Sequence, residues 1–192
     1  MELSLHETDR KIITINNITF RNINFIDIPD VMYVNRVSLP ENYSRYTFIA
    51  LYRLFKDISY VAVDEKLDKV VGYIINKEDE GKSFFNSNNL VRKGHVFSIA
   101  VLPEYRRKHI GKILLALGMK AMFKKGLEEV YLEVRVSNTP AIKLYEKFGM
   151  EKVGVVKKYY SDGEDAYIMA TNVKKSLNTV LNILETVQGE TR

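Results

Sequence analysis

The sequence contains no cysteine. That excludes a disulfide framework and any thiolate metal site, and it agrees with the reducing cytoplasm expected for this chain. No apolar run approaches the ~20 residues of a membrane-spanning helix, so no membrane association is expected. The opening MELSLHETDRK has no apolar core after a basic start, and no secretion signal is expected from it. Internal repeats and low-complexity tracts are also lacking, and no metal site is expected.

What is present describes one ordinary globular domain. The chain has 192 residues, 46% apolar and 28% charged, enough for one substantial core. A net charge of +5 and a pI near 9.2 favour anionic partners such as nucleotides, nucleic acid or a ribosome surface.

Residues 1–17 are polar and aperiodic, a tail or an added edge strand. ITFRNIN (18–24) alternates as a strand does. Residues 27–39 place Ile28, Val31, Met32 and Val34 at helical spacing and stop at Pro40; residues 43–56 form a second, aromatic-rich helix. SYVAVD and KVVGYIIN read as a hairpin around EKLD, followed by a long polar stretch at 76–93. GHVFSIAVL (94–102) reads as a buried central strand, with His95 alternating onto the face of Phe97, Ile99 and Val101. A helix follows to Gly126, then the strand EVYLEVR, then SNTPAIKLYEKFG with Pro140 at a helix start and Gly149 past its end. EKVGVVKKYY and DAYIMAT close the domain as a hairpin around SDGE. The boundaries expected are a tail or extra strand at 1–17, a globular domain at 18–173 and an amphipathic helix at 174–192. Leu177, Val180, Leu181, Leu184 and Val187 give that helix one apolar face. The face docks on its own domain or makes a dimer contact, so monomer and homodimer both stay open.

The segment with most chemistry is PEYRRKHIGK (103–112), a basic turn between the central strand and a helix. A helix N-terminus offers unpaired N–H groups and the positive end of its dipole. Such a turn can wrap a pyrophosphate with backbone donors, and coenzyme A carries one. Taken alone, a basic turn at a helix start is more often a solvated face.

With its surroundings it resembles the acetyl-CoA loop of the GNAT acetyltransferase superfamily, Arg/Gln-x-x-Gly-x-Gly/Ala. Arg106-Arg107-Lys108-His109-Ile110-Gly111 fits except at His109, where the family carries glycine. SNTPAIKLYEKFGM resembles the family's second cofactor segment. LPENY, VRKGHVFSIAVLPEYRR, LEVRVSN and YYSDGEDAY, in that order, resemble the archaeal protein N-terminal acetyltransferases, relatives of the eukaryotic NatA catalytic subunit.

The resemblance implies an α/β chain with the GNAT fold, a mixed central β-sheet flanked by helices. It implies acetyl transfer from acetyl-CoA to the α-amino group of protein N-termini, met as nascent chains through weak ribosome association. Arg106, Arg107, Lys108, His109, Ile110, Gly111 and Lys112 would hold the pyrophosphate, and Asn138 the pantetheine arm. Backbone N–H groups of Ile99, Ala100 and Val101 would stabilise the oxyanion. Leu39, Glu41, Asn42, Tyr43, Tyr159 and Tyr160 would line the peptide's path.

A peptide α-amine has a pKa of about 7.7–8.0 against about 10.4 for lysine, so a modest base suffices. Glu41, His95 and Glu133 are the candidates, and Tyr145 the proton donor to the leaving thiolate. Each has a plain structural alternative: a loop carboxylate or cap for Glu41, a core histidine for His95, a core aromatic for Tyr145 and a helix cap for Asn138. The tyrosine pair can equally be hairpin core. Two other functions fit less of the sequence. A lysine or small-amine acetyltransferase uses the same fold, and an RNA- or ribosome-binding module would use the basic residues and tyrosines.

Overall fold

The computed structural model describes residues 13–189. Eight strands form one sheet in the order β1-β2-β3-β4-β5-β6-β8-β7. Strands β1 (Ile13–Ile15), β2 (Ile18–Asn22), β3 (Tyr60–Asp64), β4 (Lys69–Lys82) and β5 (Leu90–Val101) pair antiparallel. Strand β6 (Glu129–Arg135) joins β5 in parallel, and β8 (Ala166–Asn172) and β7 (Glu151–Val156) complete the sheet antiparallel. Part of the N-terminal segment is thus the edge strand β1; residues 1–12 lie outside the described residues.

Helix α1 (Ile28–Ser38) carries Pro29 in its first turn and ends where Leu39, before Pro40, turns extended. It buries Ile28, Val31, Val34 and Asn35, one stripe at helical spacing. Helix α2 (Arg45–Phe55) is capped by Ser44, whose hydroxyl accepts from the Thr47 N–H at 3.2 Å. Helix α3 (Ile110–Lys124) is apolar nearly all round and stops at Gly126, where φ is +81°. Its all-round burial follows from its place between the sheet and α5 (Val173–Gly189). Val180 and Leu184 of α5 are buried there, at roughly 1.5–3 kcal/mol each. The amphipathic face therefore docks on its own chain. Helix α4 (Thr139–Glu146) is capped by Asn138, whose Oδ1 accepts from the Ala141 N–H at 3.2 Å.

Three expectations are corrected. The polar stretch 76–93 does not merely follow the strands: Asn76–Lys82 pairs with Leu90–Val96 and prolongs the β4–β5 hairpin, leaving only 83–89 as its turn. Its polar side chains find partners instead of core, as where Tyr131 donates to Asp79 at 2.5 Å. The expected strand EKVGVVKKYY ends at Val156, and Lys158 turns away with φ +51°. The third correction concerns His95. Ile75 faces Ser98 while Asn76 faces Val96, so Phe97 is an extra residue in β5, a β-bulge. The bulge resets the alternation. His95 and Phe97 share the side of Tyr43: the His95 and Phe97 ring centroids lie 6.3 Å apart and those of Phe97 and Tyr43 4.7 Å apart, whereas Val101 lies on the α3 side near Gly72 and Gly111.

Candidate functional site

The bulge also opens the sheet. β5 and β6 pair only from Lys93 to His95 against Glu129 to Tyr131. Beyond that the strands separate, each held on its far side by β4 or β8. The facing edges of Phe97–Val101 and Leu132–Arg135 are left as a slot whose backbone groups need partners. Ile99, Ala100 and Val101 stand along it.

His95 sits where the slot begins. On β6, Tyr131, Glu133 and Arg135 alternate outward while Val130, Leu132 and Val134 are buried. Parallel register sets His95 beside Tyr131, and the rings stack with centroids 4.4 Å apart and planes 4° from parallel. Glu133 Oε2 lies 2.6 Å from His95 Nε2. A carboxylate only accepts, so Nε2–H donates, and in the neutral ring Nδ1 then keeps its lone pair. Nδ1 is buried and has no partner among the described residues.

Two loops wall the outer face. The α1–α2 connection carries Leu39, Glu41, Asn42 and Tyr43. Asn35, 1% exposed, fixes it: Nδ2 donates to the Glu41 carbonyl at 3.1 Å and to the Tyr73 hydroxyl at 3.0 Å, and Oδ1 accepts from the Tyr43 N–H at 3.3 Å. Tyr73 in turn bonds the Ser98 hydroxyl at 2.8 Å, which ties the loop to the central strand. The β7–β8 connection carries Tyr159 and Tyr160, whose rings meet edge-on at 5.0 Å. Burial pushes the Tyr159 phenol up to about 12, helped by the charge of Glu133. Burial, then the charges of Glu41 and Glu133, also raises Tyr43. Arg135 donates to Glu41 and to Glu164, so Glu41 is a paired carboxylate while His95 and Glu133 face each other.

Tyr145 lies on α4 near Tyr160, and burial pushes its phenol up to about 12. A group that titrates so high stays protonated, a donor and not a base. The Tyr145→Phe variant should therefore lose kcat by a constant factor from about pH 7 to pH 10, with no change in profile shape. A pH–rate series on both proteins checks this.

At the end of β5 the basic loop turns left-handed twice, at Arg107 (φ +65°) and at His109 (φ +61°). His109 precedes the first turn of α3 and makes no side-chain cap bond, so the free amides of that turn face outward beside exposed Arg107 and Lys108. Arg106 folds back, its Nε donating to the Val101 carbonyl at 3.2 Å. Lys108 lies 4.8 Å above the Tyr105 ring, and Tyr105 donates to Asp64 at 2.8 Å. A Cβ on Gly111 would touch only Val101 at 3.7 Å. A cavity of about 730 Å³ flanks the loop, bordered by Ile18, Phe20, Lys108, His109, Lys112 and Ile183. Slot, helix start and cations together fit an extended chain ending in a pyrophosphate. Glycine holds φ +61° freely, so His109→Gly should leave the acetyl-CoA KM within about threefold, and His109→Val should raise it further. Initial-rate titration of acetyl-CoA decides this.

No motif or spacing in the sequence assigns a role to the side chains of Asn35, Tyr131 or Arg135. Alternation along β6 from Glu133 was the one signal that pointed to the last two.

Residues 28–150 match the acetyltransferase (GNAT) family. The N-alpha-acetyltransferase of Saccharolobus solfataricus is 50% identical over 154 residues, 79% of this chain and 91% of that protein. The N-terminal acetyltransferase A complex catalytic subunit ard1 of Schizosaccharomyces pombe is 34% identical, covering 74% and 78%. Among solved structures, Chaetomium thermophilum Naa20 in complex with a bisubstrate analogue superposes with a TM-score of 0.72 at 27% identity, over 83% of this chain and 89% of that one.

Proposed function

Since the chain belongs to the acetyltransferase (GNAT) family, we propose that it transfers an acetyl group from acetyl-CoA to the α-amino group of protein N-termini. The observation that carries the mechanism is the His95–Glu133 pair at the point where β5 and β6 part.

Acetyl-CoA supplies the activated acetyl group. The α3 N-terminal amides with Arg107, Lys108 and Lys112 hold its pyrophosphate, and the β5 edge at Ile99–Val101 holds the extended arm. Asn138 contributes its Nδ2, since its Oδ1 is used by the helix cap. The peptide lies between the two walls, with Leu39, Asn42 and Tyr43 on one side and Tyr159 and Tyr160 on the other. Backbone contacts to such walls give broad recognition, and a small pocket sets the first residue.

The amine nitrogen bonds the acetyl carbon as the carbon–sulfur bond breaks. Backbone N–H groups along Ile99–Val101 meet the charge that develops on the carbonyl oxygen. His95 Nδ1, buried in the free protein, takes the amine proton through one water that enters with the peptide, and Glu133 holds the ring in the tautomer that leaves Nδ1 free. Tyr145 donates to the thiolate. Glu41, paired with Arg135, shapes the peptide's path and does not serve as the base.

Acceptors are nascent chains reached in the cytoplasm, with the basic surface supporting weak ribosome association. The catalytic unit spans residues 18–173, works as a monomer or homodimer, and carries α5 as an added helix. No helix among the described residues is long and apolar enough to cross a membrane.

Thiol release from acetyl-CoA tests the reading with three acceptors: a peptide with a free N-terminus, a blocked peptide with one lysine, and a small amine. Turnover should be fastest with the first. Equal or faster turnover with the blocked peptide would overturn it.

A further inference from the structure

We infer that Arg135 is a positioning residue for the acceptor peptide, the clamp that sets the width of the groove between the α1–α2 and β7–β8 loops. The inference rests on the peptide groove proposed above.

Arg135 is the last residue of β6, and its side chain is only 14% exposed. Its guanidinium reaches both walls at once. Nη2 donates to Glu41 on the α1–α2 loop. Nη1 donates to Asp162 Oδ2 at 2.7 Å and Glu164 Oε2 at 2.6 Å on the β7–β8 loop. The same group lies 3.9 Å from the centroid of the Tyr160 ring, one of the two tyrosines expected on the peptide backbone. Glu164 also accepts from the Ser137 N–H at 2.9 Å, which anchors that loop to the start of α4.

Among the described residues no backbone hydrogen bond joins the two loops, so the guanidinium is their polar tie. A planar fork with several donors holds carboxylates on both sides in one fixed geometry; an ammonium is a compact point charge without that fixed fork. The arrangement also explains a cost. Arg135 Nε is buried without a partner among the described residues, and the cation is held by carboxylates from two separate loops. Ordinary packing of a strand end does not require this, whereas a groove of fixed width does. Without the clamp, Glu41, Asp162 and Glu164 repel one another and the walls separate.

The test is steady-state kinetics on wild type, Arg135→Ala, Arg135→Gln and Arg135→Lys, with hydrogen exchange on each. Arg135→Ala and Arg135→Gln should raise the peptide KM by about ten- to thirty-fold and leave the acetyl-CoA KM within about twofold. Arg135→Lys should recover part of the loss. Exchange should quicken in residues 39–44 and 157–165 and stay unchanged in β5 and β6. A peptide KM within twofold of wild type would overturn the inference, as would equal increases in both KM values. Wild-type turnover on the same peptide judges the functional reading separately, because loop exchange reports on the clamp whether or not the peptide is acetylated.

Discussion

Replacing His95 by alanine lowers kcat for peptide acetylation by about 10²–10⁴-fold, the range for loss of a positioned base, while the acetyl-CoA KM stays within a few-fold. The expectation comes from placement. His95 is 7% exposed, stacked on Tyr131 and bonded to Glu133, and its remaining nitrogen has no partner among the described residues. A histidine serving only the core would have both nitrogens satisfied. The deficit has a predicted pH signature. An α-amine with a pKa of about 7.7–8.0 loses its own proton as pH rises, so the gap to wild type narrows above about pH 8. His95→Gln refolds the same space without the base and guards against a misfolded alanine variant. Glu133→Gln keeps a hydrogen bond but not the tautomer preference, and should fall between the two. A pH–rate profile of kcat for all four proteins is the measurement.

The second large effect lies away from the chemistry. Asn35→Ala removes three hydrogen bonds in a fully buried site, including those that hold the Glu41 carbonyl and the Tyr43 amide. Each buried group left without a partner costs about 1–3 kcal/mol. For a chain of this size the melting temperature should fall by roughly 5–10 °C. Because the lost bonds fix the peptide-side loop, kcat/KM for peptide should fall about tenfold more than for acetyl-CoA. Thermal denaturation with kinetics at 25 °C separates the two contributions. Asn35→Asp keeps the acceptor toward Tyr43 but not the donors, and it should recover little.

Much of this fold was legible because period and punctuation agreed. EVYLEVR alternates cleanly and is β6 without a residue's error, and Pro140 with Gly149 brackets α4. The β4–β5 ribbon was illegible because its strand character rests on partners such as Tyr131 and Glu129, not on its own apolar pattern. The bulge at Phe97 was hidden too. In VFSIAV both faces are largely apolar or small, so one inserted residue leaves no mark on the pattern, yet it decides which side His95 faces. His95 and Glu133 were each visible as candidates, but their pairing depends on the parallel register of β5 on β6. Glu41 and Arg135 are 94 positions apart, and nothing local announces their bond. That bond is the reason we propose Glu41 as a groove carboxylate and not as the base.

The most direct test of the account uses one peptide with both a free N-terminus and an internal lysine. It is incubated with the protein and acetyl-CoA near pH 7, and tandem mass spectrometry locates the added acetyl group. The account predicts acetylation on the first residue's nitrogen, abolished on the time scale of the assay by His95→Ala. Acetyl found on the lysine, or on the first residue at an undiminished rate with His95→Ala, would contradict it.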